Sequence, residues 1–171
     1  MKLVGYTEFS GRHWETGSVR NVWAYRGVKA PHTDAPFSEA FLLGVSGGIV
    51  MGYFTFAYQG YDPEVRILTR NTFDPLNTML SRLGVVQHIH HTASADTGLA
   101  NLQETLADGL PAIVWVDMFS LPYNTLPHDE TMWAMFPLVV YGYDEAADTV
   151  WIADRAQVPL TIRTSELAAA R

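Results

Sequence analysis

The segment PLVVYGYDEAADTVWIAD, residues 137–154, reads as two strands and the turn that joins them. Leu138 to Tyr143 is a continuous apolar run, the pattern of a strand covered on both faces, so it is expected at the centre of a sheet. Asp144-Glu145-Ala146-Ala147-Asp148 interrupts the run with three carboxylates, and Thr149 to Ala153 resumes it. Strands joined by so short an acidic turn pair antiparallel. Upstream, Ala112 to Val116 is a second continuous apolar run expected at the centre of a sheet, while Val65 to Thr69 and Val85 to His91 read as partly exposed strands.

Helical signals dominate the first part of the chain. Val19, Val22 and Trp23 share one face of a helix from about Thr16 to Tyr25, with Gly27 as its left-handed cap. Ser38 and Glu39 open a short helix through Leu43. Asp74 to Leu83 has an Asp cap, Pro75 at the first helical position, Leu76, Met79, Leu80 and Leu83 on one stripe, and Gly84 after it. A further helix runs from Thr97 through Leu99, Leu102 and Leu106 to Gly109. Ala40 to Tyr61 is uncharged and spaces Gly44, Gly48 and Gly52 like a close-packed membrane helix, yet Ser46, Thr55, Gln59 and the Gly47-Gly48 pair favour a helix, a glycine turn and a buried strand from Ile49 to Tyr58. The resulting fold class is α+β, an antiparallel sheet packed against N-terminal helices. Without repeats, linkers or low-complexity tracts, residues 1–171 are expected to form one domain. The capped helix opening at Thr164-Ser165-Glu166 points to a longer natural protein of which this is the N-terminal part.

Composition narrows the chemistry. The chain has no cysteine, so disulfides, thiolate metal sites and a cysteine nucleophile are excluded. Its 18 acidic against 11 basic residues give a formal charge of -7, which repels phosphate backbones and anionic lipid, so neither nucleic acid nor membrane is expected as a partner. Charged residues make up 17% and apolar residues 48%, against about 25% charged in a typical domain. Such a surface leaves room for a partner or for homo-oligomer formation, with Tyr6, Phe9, Tyr58 and Tyr61 as exposed aromatics. The N-terminus MKLVGYTEFS lacks the apolar run of a signal peptide, so a cytoplasmic location is expected.

Reactive side chains concentrate at the start of the first helix, in His13, Glu15, Thr16 and Ser18. A helix N-terminus favours a nucleophile's anion or a developing oxyanion. The plain alternative is that Thr16 or Ser18 caps the helix while His13 and Glu15 are solvated. Asp117, at the end of an apolar strand, and Tyr123, in the turn after it, are cleft candidates; the alternatives are a loop-capping carboxylate and a packed ring. His128 stands in the loop that follows. His88 and His90 would share one face of a strand near Asp96, but two imidazoles do not complete a metal site, and neither a metal nor another cofactor is expected. Glu39, in Ser38-Glu39-Ala40, has two readings, part of a motif or support for the first turn of its own helix.

The ordered series HWETGSVRNVWAYRG, FSEAFLLGVSGGIVMGYFTF, RLGV, GLPAIVWVDMFSLPY and PLVVYGYDEAADTVWIAD resembles the N-terminal domain of butirosin biosynthesis protein H, over about Gly11 to Asp154. The resemblance implies a papain-like fold related to the bacteriocin-processing cysteine peptidases. It also implies acyl transfer from a carrier-protein thioester to an amine, an acyl carrier protein or a C-terminal domain as partner, and a setting in antibiotic biosynthesis. The family motif His-Cys-Glu, with its nucleophile at the helix head, falls on His13-Trp14-Glu15. The family's general base, placed by spacing from Gly142-Tyr143-Asp144, falls on Phe136. The residue that orients that base falls on Asp154.

Indole offers no attacking lone pair and a phenyl ring accepts no proton, so Trp14 and Phe136 leave neither nucleophile nor base at the vestigial positions. The two rings are expected to face each other across the cleft and fill it. Three readings follow. The first is a catalytically silent domain that binds an acyl, peptidyl or carrier-protein ligand or supports a C-terminal domain. The second is an acyltransferase with a relocated site built from Thr16, Ser18 or His128. The third is a structural interaction module. A Ser, Thr or His pair within about 3.2 Å in an open cleft near Trp14 would distinguish the second from the first.

Overall fold

The computed structural model describes residues 1–48, 52–60, 62–68, 74–125, 127 and 135–171, with 52–54 and 64–68 described by their backbone. In chain order the elements are α1 (Trp14–Tyr25), β1 (Lys29–Ala30), β2 (Ala35–Pro36), α2 (Glu39–Ser46), β3 (Gly52–Phe56) and β4 (Glu64–Leu68). They continue with α3 (Pro75–Arg82), α4 (Ala95–Ala107), β5 (Ala112–Asp117), a 3-10 turn at Met118–Ser120, β6 (Met135–Asp144), β7 (Thr149–Ala153), β8 (Leu160–Ile162) and α5 (Thr164–Ala169). The fold is α+β. Two compact units are present: residues 1–37 with 89–171, and residues 38–88.

The larger unit is organised by β6. This ten-residue strand is buried from Pro137 to Tyr143 and is paired antiparallel on both edges, in the order β5-β6-β7-β8. The hairpin expected across Asp144 to Asp148 is present. Leu138, Val139, Val140 and Ile152 are at most 1% exposed, and burial of each stabilises the fold by about 1.5–3 kcal/mol. Helices α1 and α4 lie against β5 and β6 and help to bury the apolar β6. At its far end the N-terminal segment adds to the sheet through a bridge from Lys2 to Gly142 and a 3.0 Å bond from the Leu3 N–H to the Tyr141 carbonyl.

Several expectations are corrected here. Strand β5 lies at an edge, not the centre, and Trp115 on it is 41% exposed; a continuous apolar run reports that faces are covered and says nothing about edges. Val85 to His91 is irregular chain with His88 and His90 exposed, because strand propensity without a neighbouring strand leaves the backbone unpaired. Tyr6 is buried and Phe9 packs against the core. Helix α1 begins at Trp14, since His13 rather than Thr16 or Ser18 provides the cap. Helix α4 begins at Ala95, capped by Ser94. Strand β8 was not anticipated; three residues carry too little periodicity to read.

The smaller unit holds α2, the antiparallel β3–β4 hairpin and α3, and α2 packs against α3. Helix α3 has the expected Asp74 cap and Pro75 start, with Met79 and Leu80 buried. Gly47 ends α2 at φ 75, in the left-handed region where glycine carries no Cβ penalty. The uncharged run from Ala40 to Tyr61 thus holds all but the first residue of an eight-residue helix, and a five-residue strand. Among the described residues no helix is long and apolar enough to cross a membrane. Phe56 is 41% exposed, not buried as expected of its strand, and Tyr58, beyond the end of β3, is 64% exposed, as expected of a surface aromatic; Ile49, Val50, Met51, Tyr61 and Thr69 lie outside the described residues.

Candidate functional site

Gly11 and the first turn of α1 approach each other more closely than side chains allow. A Cβ on Gly11 would stand 2.7 Å from the Cα and carbonyl oxygen of Gly17, and the Gly11 N–H donates to Asn21 Oδ1 at 3.1 Å. This contact forms one wall of a crevice whose other walls are His13, Trp14, Ser18, Ala153, Asp154 and Arg155. The crevice is too narrow to admit a water molecule.

Trp14 and Arg155 stand in its wall, and Phe136 backs the Trp14 ring. Trp14, at the head of α1, stacks on Phe136 of β6 with ring centroids 3.9 Å apart and planes inclined by 18°. The Arg155 guanidinium carbon lies 4.5 Å from the centre of the Trp14 ring, within the range of a cation–π contact. Arg155 also holds the Asp154 carboxylate, Nε to Oδ1 at 3.3 Å, and Tyr123 donates its hydroxyl to Asp154 Oδ2 at 3.0 Å. The Asp154 side chain is 6% exposed and that of Arg155 30%. Burial, and after it the Asp154 carboxylate, push the Tyr123 hydroxyl well above the usual tyrosine range, so Tyr123 is a neutral donor at physiological pH.

The reactive residues of α1 are placed differently from one another. His13 caps the helix: its Nδ1 accepts from the Thr16 N–H at 3.5 Å and lies 3.1 Å from Thr16 Oγ1. That imidazole–hydroxyl pair has the separation that nucleophile activation needs, yet Thr16 is 2% exposed and the adjoining crevice admits no water, so the open cleft is missing. Glu15 is buried. Ser18 is buried and donates weakly to the Pro137 carbonyl at 3.4 Å. His13, Trp14, Ser18 and Asp154 are therefore brought together around the crevice, and Thr16 is held beside His13.

Asp117 serves the capping role, accepting from the Phe119 N–H at 3.2 Å and the Ser120 hydroxyl at 2.5 Å. His128 lies outside the described residues. Among the described residues no three of His, Cys, Asp and Glu are grouped to hold a metal ion. Ser38 caps α2 through the Phe41 N–H, with Glu39 in the first turn. Arg155 and Asn21 escaped the sequence reading; an arginine directly after Asp154 is the one signal that could have pointed to the first. A larger groove of about 490 Å³, lined in part by Glu104, Leu106, Tyr143 and Glu145, shares no wall with the crevice.

No curated protein and no solved structure matches the chain. Residues 13–155, which include the whole of β6 and every crevice residue except Gly11, match the family described as butirosin biosynthesis protein H, N-terminal. With 143 of its 171 residues inside that match, the chain belongs to this family.

Proposed function

We propose that this chain is a catalytically silent member of its family, a domain with the family's papain-like fold that binds an acyl, peptidyl or carrier-protein ligand or supports a C-terminal domain. The observation that carries the reading is the Trp14–Phe136 stack under Arg155 in a crevice closed to water. An acyl transfer needs an attacking atom, a base within reach and a place for the thioester carbonyl. An indole and a phenyl ring supply neither of the first two, and the closed crevice denies the third. Loss of even one member of such a triad costs about ten-thousandfold or more in rate. Asp154, which would orient the base, is occupied by Tyr123 and Arg155.

The test is incubation of the protein with an acyl carrier protein thioester and a free amine. The expected result is no transfer beyond that in buffer. Transfer above buffer overturns the reading. One observation favours a second reading, in which Thr16 attacks with His13 as base: their 3.1 Å separation. Transfer abolished by Thr16→Ala would establish it, and transfer abolished only by Ser18→Ala would move the nucleophile to Ser18. The complementary experiment is Trp14→Cys with Phe136→His. Rapid reaction of the new thiol with an alkylating probe near neutral pH would show that the old geometry persists.

A further inference from the structure

Among the described residues Arg155 is the one arginine or lysine in the wall of the crevice, and both faces of its chemistry are used there. Its Nε pairs with the buried Asp154 carboxylate at 3.3 Å, and its guanidinium covers the Trp14 ring at 4.5 Å. Asp154 is in turn held from the other oxygen by Tyr123 at 3.0 Å. The three contacts connect α1, the turn after the 3-10 helix and the end of β7. The Arg155 side chain is nevertheless 30% exposed, unlike the carboxylate it holds, so it has solvent to move into without unpacking the core. A long, rotamer-rich side chain held by one charged partner and one ring is a reversible fastener.

We propose that Arg155 is a latch: it holds the Trp14 ring down over the crevice, and its swing into solvent opens the space beside Ser18 and Ala153. This inference rests on the reading of the crevice as the family's former acyl-transfer cleft and names how access to it is regulated. Closed, the guanidinium is satisfied by Asp154 and the indole. Open, Asp154 keeps the Tyr123 hydroxyl, so its carboxylate is not abandoned in the interior, which makes the open state reachable. Tyr123 is thereby a positioning residue for the carboxylate on which the latch fastens.

The absence of cysteine makes a single introduced thiol a clean reporter. Ser18→Cys is close to isosteric and places a sulfur in the crevice wall. Its reaction with a small disulfide reagent is expected to be slow in the native protein and at least tenfold faster when Arg155→Ala is added. Arg155→Lys, which keeps the charge but not the planar fork, should give an intermediate rate. Urea unfolding of the same variants separates opening from global destabilisation: the gain in rate must exceed the factor by which Arg155→Ala lowers the folding constant. An unchanged rate, a gain equal to the loss in global stability, or fast labelling with Arg155 in place overturns the latch. If Ser18→Cys does not fold, Ala153→Cys reports on the same space. Labelling does not depend on acyl transfer, so a turnover result that overturns the proposed function leaves the latch to stand or fall by itself.

Discussion

Strand β6 carries two aromatic stacks that look alike and do different work. Tyr141 lies on Tyr6 with centroids 4.3 Å apart and planes 7° from parallel, and Phe136 lies on Trp14 at 3.9 Å and 18°. The first pair is inside the main core, Tyr141 being 1% and Tyr6 7% exposed, with Phe9 and Tyr25 packed around it. The second pair is half-buried at the edge of a crevice and has a guanidinium over its indole. Ring contact alone therefore does not tell a structural pair from one that closes a site. What surrounds the rings decides whether removing one leaves a hole in the core or opens a path to solvent.

The sharpest way to break this comparison is truncation. Tyr141→Ala is expected to cost about 3–5 kcal/mol, as for other large-to-small changes at buried rings, whereas Trp14→Ala should cost about 1–2 kcal/mol and leave a folded protein. Urea unfolding measures both; equal losses would erase the distinction. Next in size is the tie on Asp154: Tyr123→Phe removes a hydrogen bond to a buried carboxylate and should cost about 1.5–3 kcal/mol. A double-mutant cycle over Trp14 and Phe136 should then give a coupling of about 0.5–1.5 kcal/mol, and no coupling would mean that the stack is only proximity. The smallest effect is expected at Tyr6, whose buried hydroxyl has no hydrogen-bond partner among the described residues; Tyr6→Phe should be neutral or raise stability by up to about 1 kcal/mol.

The same comparison has a pH signature. Burial raises the Tyr6 and Tyr123 hydroxyls above the ordinary value of 10.0, and the Asp154 carboxylate adds to the effect at Tyr123. A proton held more tightly in the folded than in the unfolded state supports folding below pH 10 and is lost as a source of stability above it. Stability is therefore expected to fall through the alkaline range, with Tyr123→Phe and Tyr6→Phe each flattening the fall. At the acid end the sign reverses. Hydrogen bonds from Thr164 lower the Asp148 carboxyl, and the Arg163 N–H and guanidinium lower that of Glu166. Their contribution is present above the ordinary carboxylate range and disappears as pH falls through the depressed values; an Asp148→Asn variant should lose less on acidification.

Local patterns were legible wherever the chain solves its problem locally. Asp74, Pro75 and Gly84 bracket α3 because cap, start and stop act within one turn, and the acidic turn from Asp144 to Asp148 announces the β6–β7 hairpin because both strands flank it. Zero cysteine, with Trp14 and Phe136 at the positions that the family resemblance assigns to nucleophile and base, was likewise readable in one dimension. Val85 to His91 misled because strand propensity depends on a neighbour that the segment does not describe. Tyr6 looked like a surface aromatic, since nothing near residue 6 announces that Tyr141, 135 positions later, will stack on it. Asp154 stood out in the sequence, but the placing of Arg155 over Trp14 and the use of Tyr123 as hydrogen-bond donor to Asp154 depend on distances between segments far apart in the chain. Local chemistry selects helix, turn and strand; only the packed sheet and helices decide which of two similar ring pairs is core and which is the door of a crevice.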